Sequence, residues 1–522
     1  MSLAIVANDL DKTRKILTYH PTTIEERDLC GRTPLHLAVG NPECLQLLLQ
    51  VTNDELLNRL DNGGYTPADY ALDLSHNICR VQKSMLCDAQ CPCTISLELL
   101  FNANCALYHP KGVSYSPWPW TSRRGVVKLA NEMKNRRETL KCLALEHLSI
   151  LEIEEFRLED ENILDAHASR VIERLQEHNV DVPAFLAVSR GGGFLTDNRH
   201  YGSIYHWVHD GVEVDCFFNI GFRDINTPNA YGFPPLVIPY NYIGNPASYI
   251  SSLVEHGAQL FHRLEYTHLT KQENTIIGAT SAHWVFSHIG EYLETMCNGH
   301  VTLDSNNKGA IGQLNVQVLP ADVVDGCCCK CSLSGCSPLV WMLKSMLQYT
   351  DSDLIDIAQS MYWYMNHFSS DMRMKNYREA VRFGTSEVLD IQHTCCQGAR
   401  DGFHRLPKYD PEDIREIEED QATLLETLEV LVHEFEDKIT GILEQEGDVS
   451  TSLAEFWTGY WYDRMNEVLM ELDGHDISLE ERTEAERIGV KWDDDASEIS
   501  SEGEYETMFD IKYWYRRIEE IA

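Results

Sequence analysis

The sequence predicts an all-α chain, a helical solenoid in two blocks with a helical insertion between them and a helical C-terminal region. Three observations predict it. A motif recurs at a fixed interval near the N terminus, apolar residues recur at helical spacing over much of the rest, and 522 residues exceed what one hydrophobic core usually serves. The motif is Asp28-Leu-Cys-Gly-Arg-Thr-Pro-Leu-His-Leu-Ala38, echoed by Asp61-Asn-Gly-Gly-Tyr-Thr-Pro-Ala-Asp-Tyr-Ala71, with Thr33 and Thr66 standing 33 residues apart.

Each part of the motif has a physical use. Gly31 and Gly64 suit a tight turn, the threonines supply an N-cap oxygen, and Pro34 and Pro67 suit the first helical position. His36 is expected to tie neighbouring loops through hydrogen bonds. Glu43-Cys-Leu-Gln-Leu-Leu-Leu-Gln50 reads as a second helix whose apolar face needs a stacked neighbour. In the next repeat the counterpart helix is Ile95-Ser-Leu-Glu-Leu-Leu-Phe101. Pro67 lies 32 residues before Leu99, whereas Pro34 lies only 14 before Leu48, which places an 18-residue insertion between the two helices. On these residues the chain resembles ankyrin-repeat proteins. The resemblance implies helix pairs whose projecting turns and inner helices form a concave surface for other proteins, in a fold that rarely carries chemistry.

A degenerate form of the pattern returns in Ser203-Ile-Tyr-His-Trp-Val208, Asn219-Ile-Gly-Phe-Arg-Asp-Ile-Asn226 and Asn229-Ala-Tyr-Gly-Phe-Pro-Pro-Leu236. Leu253-Val-Glu-His-Gly-Ala-Gln-Leu260 then reads as a second-helix ending, and Thr280-Ser-Ala-His-Trp-Val285 occupies the Thr-Pro-Leu-His position. About five repeats in two blocks are expected. His206 with His209, or His283 with a residue one turn away, has the spacing of a metal pair, but His206 and His283 fill the motif's histidine slot, which favours a structural role.

These readings divide the chain into N-terminal repeats with a cysteine-bearing insertion (1–109), a helical insertion (110–200), degenerate repeats (201–300), a cysteine-rich helical region (301–400) and an acidic helical C-terminal region (401–522). Within 129–180, Leu140, Leu143, Leu148, Leu151 and Phe156, then Ile163, Val171, Ile172 and Leu175, mark amphipathic helices. The segment Ser114-Tyr-Ser-Pro-Trp-Pro-Trp-Thr121 reads as an extended aromatic loop, either pinned to the repeats or facing a partner. One long helix is expected from Pro411 through Ile442, with further helices over Leu453–Leu472 and Tyr505–Ile521. The acidic run Asp493–Glu504 between them reads as a linker, with Ser501 a candidate for phosphorylation.

The formal charge of −39 repels phosphate backbones and anionic lipid, so neither nucleic acid nor membrane is an expected partner. No signal peptide or spanning segment is evident, and the 17 cysteines are odd in number, so the chain reads as intracellular, cytoplasmic or nuclear, with reduced thiols.

Those thiols cluster. Cys327-Cys-Cys-Lys-Cys-Ser-Leu-Ser-Gly-Cys336 contains a Cys-x-x-Cys pair, Cys328 and Cys331, and His393-Thr-Cys-Cys396 adds an imidazole and two thiols. Structural zinc sites commonly join two such groups distant in sequence. Cys328, Cys331, Cys336, His393, Cys395 and Cys396 are therefore candidate zinc ligands. A third cluster, Cys87-Asp-Ala-Gln-Cys-Pro-Cys93, has less typical spacing. Buried reduced thiols, or disulfide and redox chemistry, are the alternatives. His393 beside Cys395 and Cys396 also fits a cysteine nucleophile, although no third, orienting residue is identifiable. No phosphate loop, His-Glu-x-x-His or Gly-x-Ser-x-Gly occurs. Val381-Arg-Phe-Gly-Thr-Ser-Glu-Val-Leu-Asp-Ile-Gln-His-Thr-Cys-Cys396, taken with the cysteine loop and the repeats, resembles the uncharacterised large ankyrin-repeat proteins of filamentous fungi over most of the chain. That group brings no established activity. The expected function is a protein-interaction scaffold or adaptor, the alternatives being a zinc-stabilised regulatory adaptor and a cysteine-dependent enzyme.

Overall fold

Short helices, each too brief to persist alone, gain their stability by stacking. A computed structural model of the chain describes residues 1–79, 81, 86–88, 90–107, 121–187, 202–208, 210–229, 232–237, 246–264, 278–298, 303, 305–327, 329–332, 334–347, 354–394, 411–445, 448–473 and 487. Among them there is no strand, only one isolated bridge between Arg263 and Thr280. Two compact units are formed, Met1–Met465 and Asn466–Ala522.

The first unit begins with a helix pair that the motif search does not reveal, α1 (Ser2–Val6) and α2 (Leu10–Tyr19), the second capped by Asp9. Helices α3 (Pro34–Ala38) and α4 (Pro42–Leu49) form the first motif repeat, followed by the short α5 (Asp54–Leu57). The second repeat opens with α6 (Pro67–Ile78), where Thr66 and Asp69 make a reciprocal capping box, and resumes after the insertion with α7 (Ile95–Asn102).

The predicted helical insertion is α8 (Arg123–His147), α9 (Ile150–Glu155) and α10 (Ala168–Glu177). Its own core joins Leu140, Leu148, Phe156, Leu158, Val171 and Leu175. The N-terminal half of α8 belongs to the stack: α8 packs against both α7 and α11 (Gly211–Ile220). The row of second helices then continues from α11 to α12 (Pro246–Glu255). First helices stack separately, through α13 (Ser281–Asn298) and α15 (Pro338–Met346), with α14 (Ser305–Val318) set against α12. Gly290 lets α13 approach closely, since a Cβ there would lie 2.2 Å from the Met342 carbonyl oxygen.

Beyond the array, α16 (Leu354–Phe368) and α17 (Met374–Val388) pack against the C-terminal helices. The single helix expected from Pro411 is broken at Gln421 into α18 (Pro411–Asp420) and α19 (Ala422–Leu443). Gln421 turns instead to the segment after α17: its Nε2 donates to the Asp390 carbonyl, and its Oε1 accepts the Gln392 N–H. After α20 (Val449–Phe456), residues Trp457–Trp461 form a π-helical turn leading into α21 (Tyr462–Asp473). That turn buries Trp457 and Trp461 together with Phe435 and Phe456. None of the described helices is long and apolar enough to cross a membrane. The aromatic loop at 114–120, the acidic run at 493–504 and the helix expected at 505–521 lie outside the described residues.

Candidate metal centre

The site grows out of the turn that opens each repeat. In the first, Asp28 Oδ1 accepts the Arg32 N–H at 2.9 Å, the Asp28 N–H donates to the Arg32 carbonyl at 3.0 Å, and Gly31 takes φ +77°. Asp61, Gly64 and Tyr65 repeat this geometry, with the Tyr65 N–H on Asp61 Oδ1 at 2.8 Å and Gly64 at φ +82°. Asn229, Gly232 and Phe233 do so again.

Histidines latch consecutive turns. The Thr33 N–H donates to His36 Nδ1 at 3.0 Å, which makes Nε2 the protonated nitrogen and sends its N–H to the Tyr65 carbonyl at 3.0 Å. His283 repeats this, accepting from the Thr280 N–H at 3.0 Å and donating to the Cys336 carbonyl at 3.1 Å. His206 Nε2 likewise meets the Phe233 carbonyl at 3.0 Å. All three side chains are structural latches.

The latch from His283 reveals a turn that the sequence reading missed. Asp325 Oδ1 accepts the Cys336 N–H at 2.7 Å, the Asp325 N–H donates to the Cys336 carbonyl, and Gly335 has φ +108°. Ser337 then caps α15, with Pro338 in its first turn. Trp341 Nε1 donates to Asp325 Oδ2 at 2.8 Å, as the Tyr70 hydroxyl does to Asp61 Oδ2 at 2.8 Å. The repeat geometry thus runs past residue 300. Asp325 and Gly335 stand ten positions apart, against three in the first two turns, so this finger carries seven extra residues. The cysteine loop is that extension.

Cys329, Cys331 and His393 present ligand atoms within 4.8 Å of one another, and so do Cys327, Cys331 and Cys336, the two groups sharing Cys331. Cys331 and Cys336 sulfurs are 3.8 Å apart, and Cys329 Sγ lies 3.3 Å from His393 Nδ1. A tetrahedral zinc with Zn–S near 2.3 Å has sulfur–sulfur edges of about 3.8 Å. His393 Nε2 meets Glu387 Oε1 at 2.6 Å, the carboxylate support that metal-bound imidazoles usually have. Burial alone would lower the His393 pKa, but its bonds to Cys329, Cys331 and Glu387 raise it to about 12. Lys344 Nζ donates to Cys336 Sγ at 3.1 Å. Arg382, buried, fixes the loop by donating to the Lys330 carbonyl at 2.9 Å while both its terminal nitrogens hold Glu429.

Of the six expected ligands the structure brings Cys331 together with Cys336 and with His393; Cys328, Cys395 and Cys396 lie outside the described residues, as does His209. Cys327, Cys329, Glu387 and Lys344 were not anticipated. Alternate positions along the loop, Cys327, Cys329 and Cys331, share the pocket, a period of two that a search for Cys-x-x-Cys passes over. The third cluster gathers by itself, as Cys79, Cys87, Cys91 and Cys93.

No curated protein matches the chain. Residues 1–88 match the family described as Ankyrin repeats (3 copies), and with the turns, caps and latches above, the chain carries ankyrin repeats, a non-enzymatic interaction fold, at its N-terminal end.

Proposed function

We propose that the chain is an intracellular scaffold or adaptor, cytoplasmic or nuclear, that binds other proteins on its repeat array, and that a structural zinc ion stiffens its longest finger. Relationship to the large fungal ankyrin proteins is part of the same proposal. The observation that carries it is the latch-and-turn geometry at His36, His206 and His283, which builds rigid fingers. Leu29, at the tip of the first finger, is fully exposed, an apolar side chain placed where the array meets partners. Leu29→Asp should abolish capture of at least one saturable partner by the full-length chain, without changing its circular dichroism or thermal midpoint. An unchanged set of captured proteins would argue against binding through the fingers. The acidic composition favours partners with basic surfaces and association rates that fall with salt.

The zinc reading is favoured by the Cys329–His393–Glu387 alignment. Cys329, Cys331 and His393, with Cys327 or Cys336 as the fourth donor, would hold the ion, and the Glu387 carboxylate would keep His393 in the tautomer that ligates through Nδ1. A cysteine-dependent enzyme is less favoured: Cys329, His393 and Glu387 do line up as thiol, imidazole and orienting carboxylate, but Cys329 is buried, whereas a nucleophile must be reached by its substrate, and Cys395 and Cys396 lie outside the described residues.

A further inference from the structure

We propose that Cys79, Cys87, Cys91 and Cys93 form a second cation site, a tetrathiolate that binds one zinc ion and staples the insertion of the second repeat to the helices it separates. The site shares no residue with the pocket around Cys331 and stands whether or not that pocket is metallated.

The geometry is that of a coordination shell. All four sulfurs lie within 4.8 Å of one another, and Cys87 Sγ is 3.6 Å from Cys93 Sγ. This is close to the edge of about 3.8 Å in a zinc–sulfur tetrahedron and far from the roughly 2.05 Å of a disulfide. Four thiolates select a soft or borderline cation, and a closed shell of four protein ligands marks a structural zinc site.

The ligands come from three pieces of chain that need joining. Cys79 closes the C-terminal end of α6, its N–H bonded to the Ser75 carbonyl at 3.1 Å. Cys87 lies in the insertion. Cys91 precedes, and Cys93 sits within, the 3-10 turn Pro92–Thr94 that leads into α7. In the first repeat only three residues separate Ala38 from Pro42. Here the two helices are separated by a longer loop, and among its described residues Leu86 is 59% exposed. Closing a loop costs entropy, and metal binding at its base would offset that cost.

Outer groups are in place. Ser122 Oγ donates to Cys93 Sγ at 3.7 Å, and the same serine caps α8. The Cys91 N–H donates to the Asp88 carbonyl at 3.2 Å, and Arg124 Nη1 bonds that same carbonyl. A guanidinium is thereby set beside a cluster whose loaded form would be doubly negative. The staple would fix the insertion against both α7 and the start of α8, which continues the stack.

The test is differential alkylation of the full-length protein, purified with zinc, followed by peptide mass spectrometry with and without a chelator, in wild type and in His393→Ala. Chelation should increase labelling of Cys79, Cys87, Cys91 and Cys93 at least tenfold in both proteins, while the exposed Cys30 and Cys142 label equally throughout. Cys79→Ser/Cys93→Ser should lose one equivalent of zinc that His393→Ala retains, and X-ray absorption of His393→Ala should show sulfur-only ligation. Labelling indifferent to the chelator, recovery of Cys87 and Cys93 in a disulfide-linked peptide, or wild-type zinc content in the double variant would each overturn the proposal. Because the labelling arm uses the native sequence at all four positions, it holds even if the double variant does not fold. Loss of zinc from the Cys331 pocket alone would leave these outcomes unchanged.

Discussion

Replacing His283 with alanine removes a latch whose two ends can be counted. The ring is fully buried, its Nδ1 accepts the Thr280 N–H at 3.0 Å, and its Nε2–H donates to the Cys336 carbonyl at 3.1 Å. Alanine leaves the Thr280 N–H buried and unanswered at about 1–3 kcal/mol, takes one of two donors from the Cys336 carbonyl, which keeps the Asp325 N–H at 3.0 Å, and opens a cavity beside Trp341, whose ring meets the imidazole at 5.4 Å. A cost of about 3 kcal/mol follows, equivalent to roughly a hundredfold increase in local opening. Hydrogen exchange read peptide by peptide is the assay, since an array of this length need not unfold in one step. Amides in α13 and at the start of α15 should exchange faster, while those of α3 and α4, latched by His36, keep their protection. Burial lowers the His283 pKa to about 4, against the Cys336 and Thr280 bonds that raise it. Unfolded chain takes up the proton near pH 6.5, folded chain only near 4, so this stabilisation is complete above pH 6.5 and is lost as pH falls toward 4. The gap between wild type and variant should shrink by about 3 kcal/mol across that interval. Exchange in α15 that rises less than tenfold at pH 7 would refute the latch as a carrier of stability.

Asp165→Asn tests a buried carboxylate. Burial, then the nearby Asp224, raises its pKa to about 7 against the pull of Arg137 and the Ile204 N–H. A raised carboxyl stabilises the fold when protonated, fully below the unfolded value near 3.9, and that contribution is lost as pH rises through 7. Urea titrations should therefore show the variant gaining on wild type by about 4 kcal/mol between pH 4 and 8; a pH-independent difference would contradict it. Glu387→Gln should weaken zinc binding about 10- to 100-fold by removing the carboxylate behind His393, and a competition titration giving wild-type affinity would remove that carboxylate from the site.

Local chemistry decided what could be read from the sequence. Thr33, Pro34, His36 and Gly31 each act within a few residues, so the turn, the cap and the latch were visible from their order alone. The same rule failed where an insertion broke the spacing. Asp325 and Gly335 form the same turn as Asp28 and Gly31, but the seven added residues hide it, and Ser337-Pro338 replaces Thr-Pro. The first pair, α1 and α2, lacks the motif altogether: α1 starts at Ser2 without a side-chain cap, and Asp9 caps only the second helix. In the candidate metal pocket, Cys331, Cys336 and His393 were legible because clustered thiols and a nearby imidazole suggest ligands. Glu387 was not, since its role depends on α17 presenting it six positions before His393. Cys79 escaped for a similar reason, because a helix that ends at Ile78 turns it toward the insertion.

Both insertions meet the same physical difficulty. A repeat array is stabilised by contacts between neighbours, and residues added at a finger tip or between paired helices fall outside the regular stack that supplies those contacts. Nine of the 17 cysteines fall in these two places, at Cys79, Cys87, Cys91 and Cys93 and at Cys327, Cys328, Cys329, Cys331 and Cys336. Cysteines serving only as small buried side chains would be spread through the helices, as Cys44 and Cys216 are. Their concentration outside the regular stack is what a chain needs if coordination adds to burial as the local stabilising force. On the proposed metal reading the two clusters share one role: each would let the array carry a long projection without losing the register of the repeats on either side.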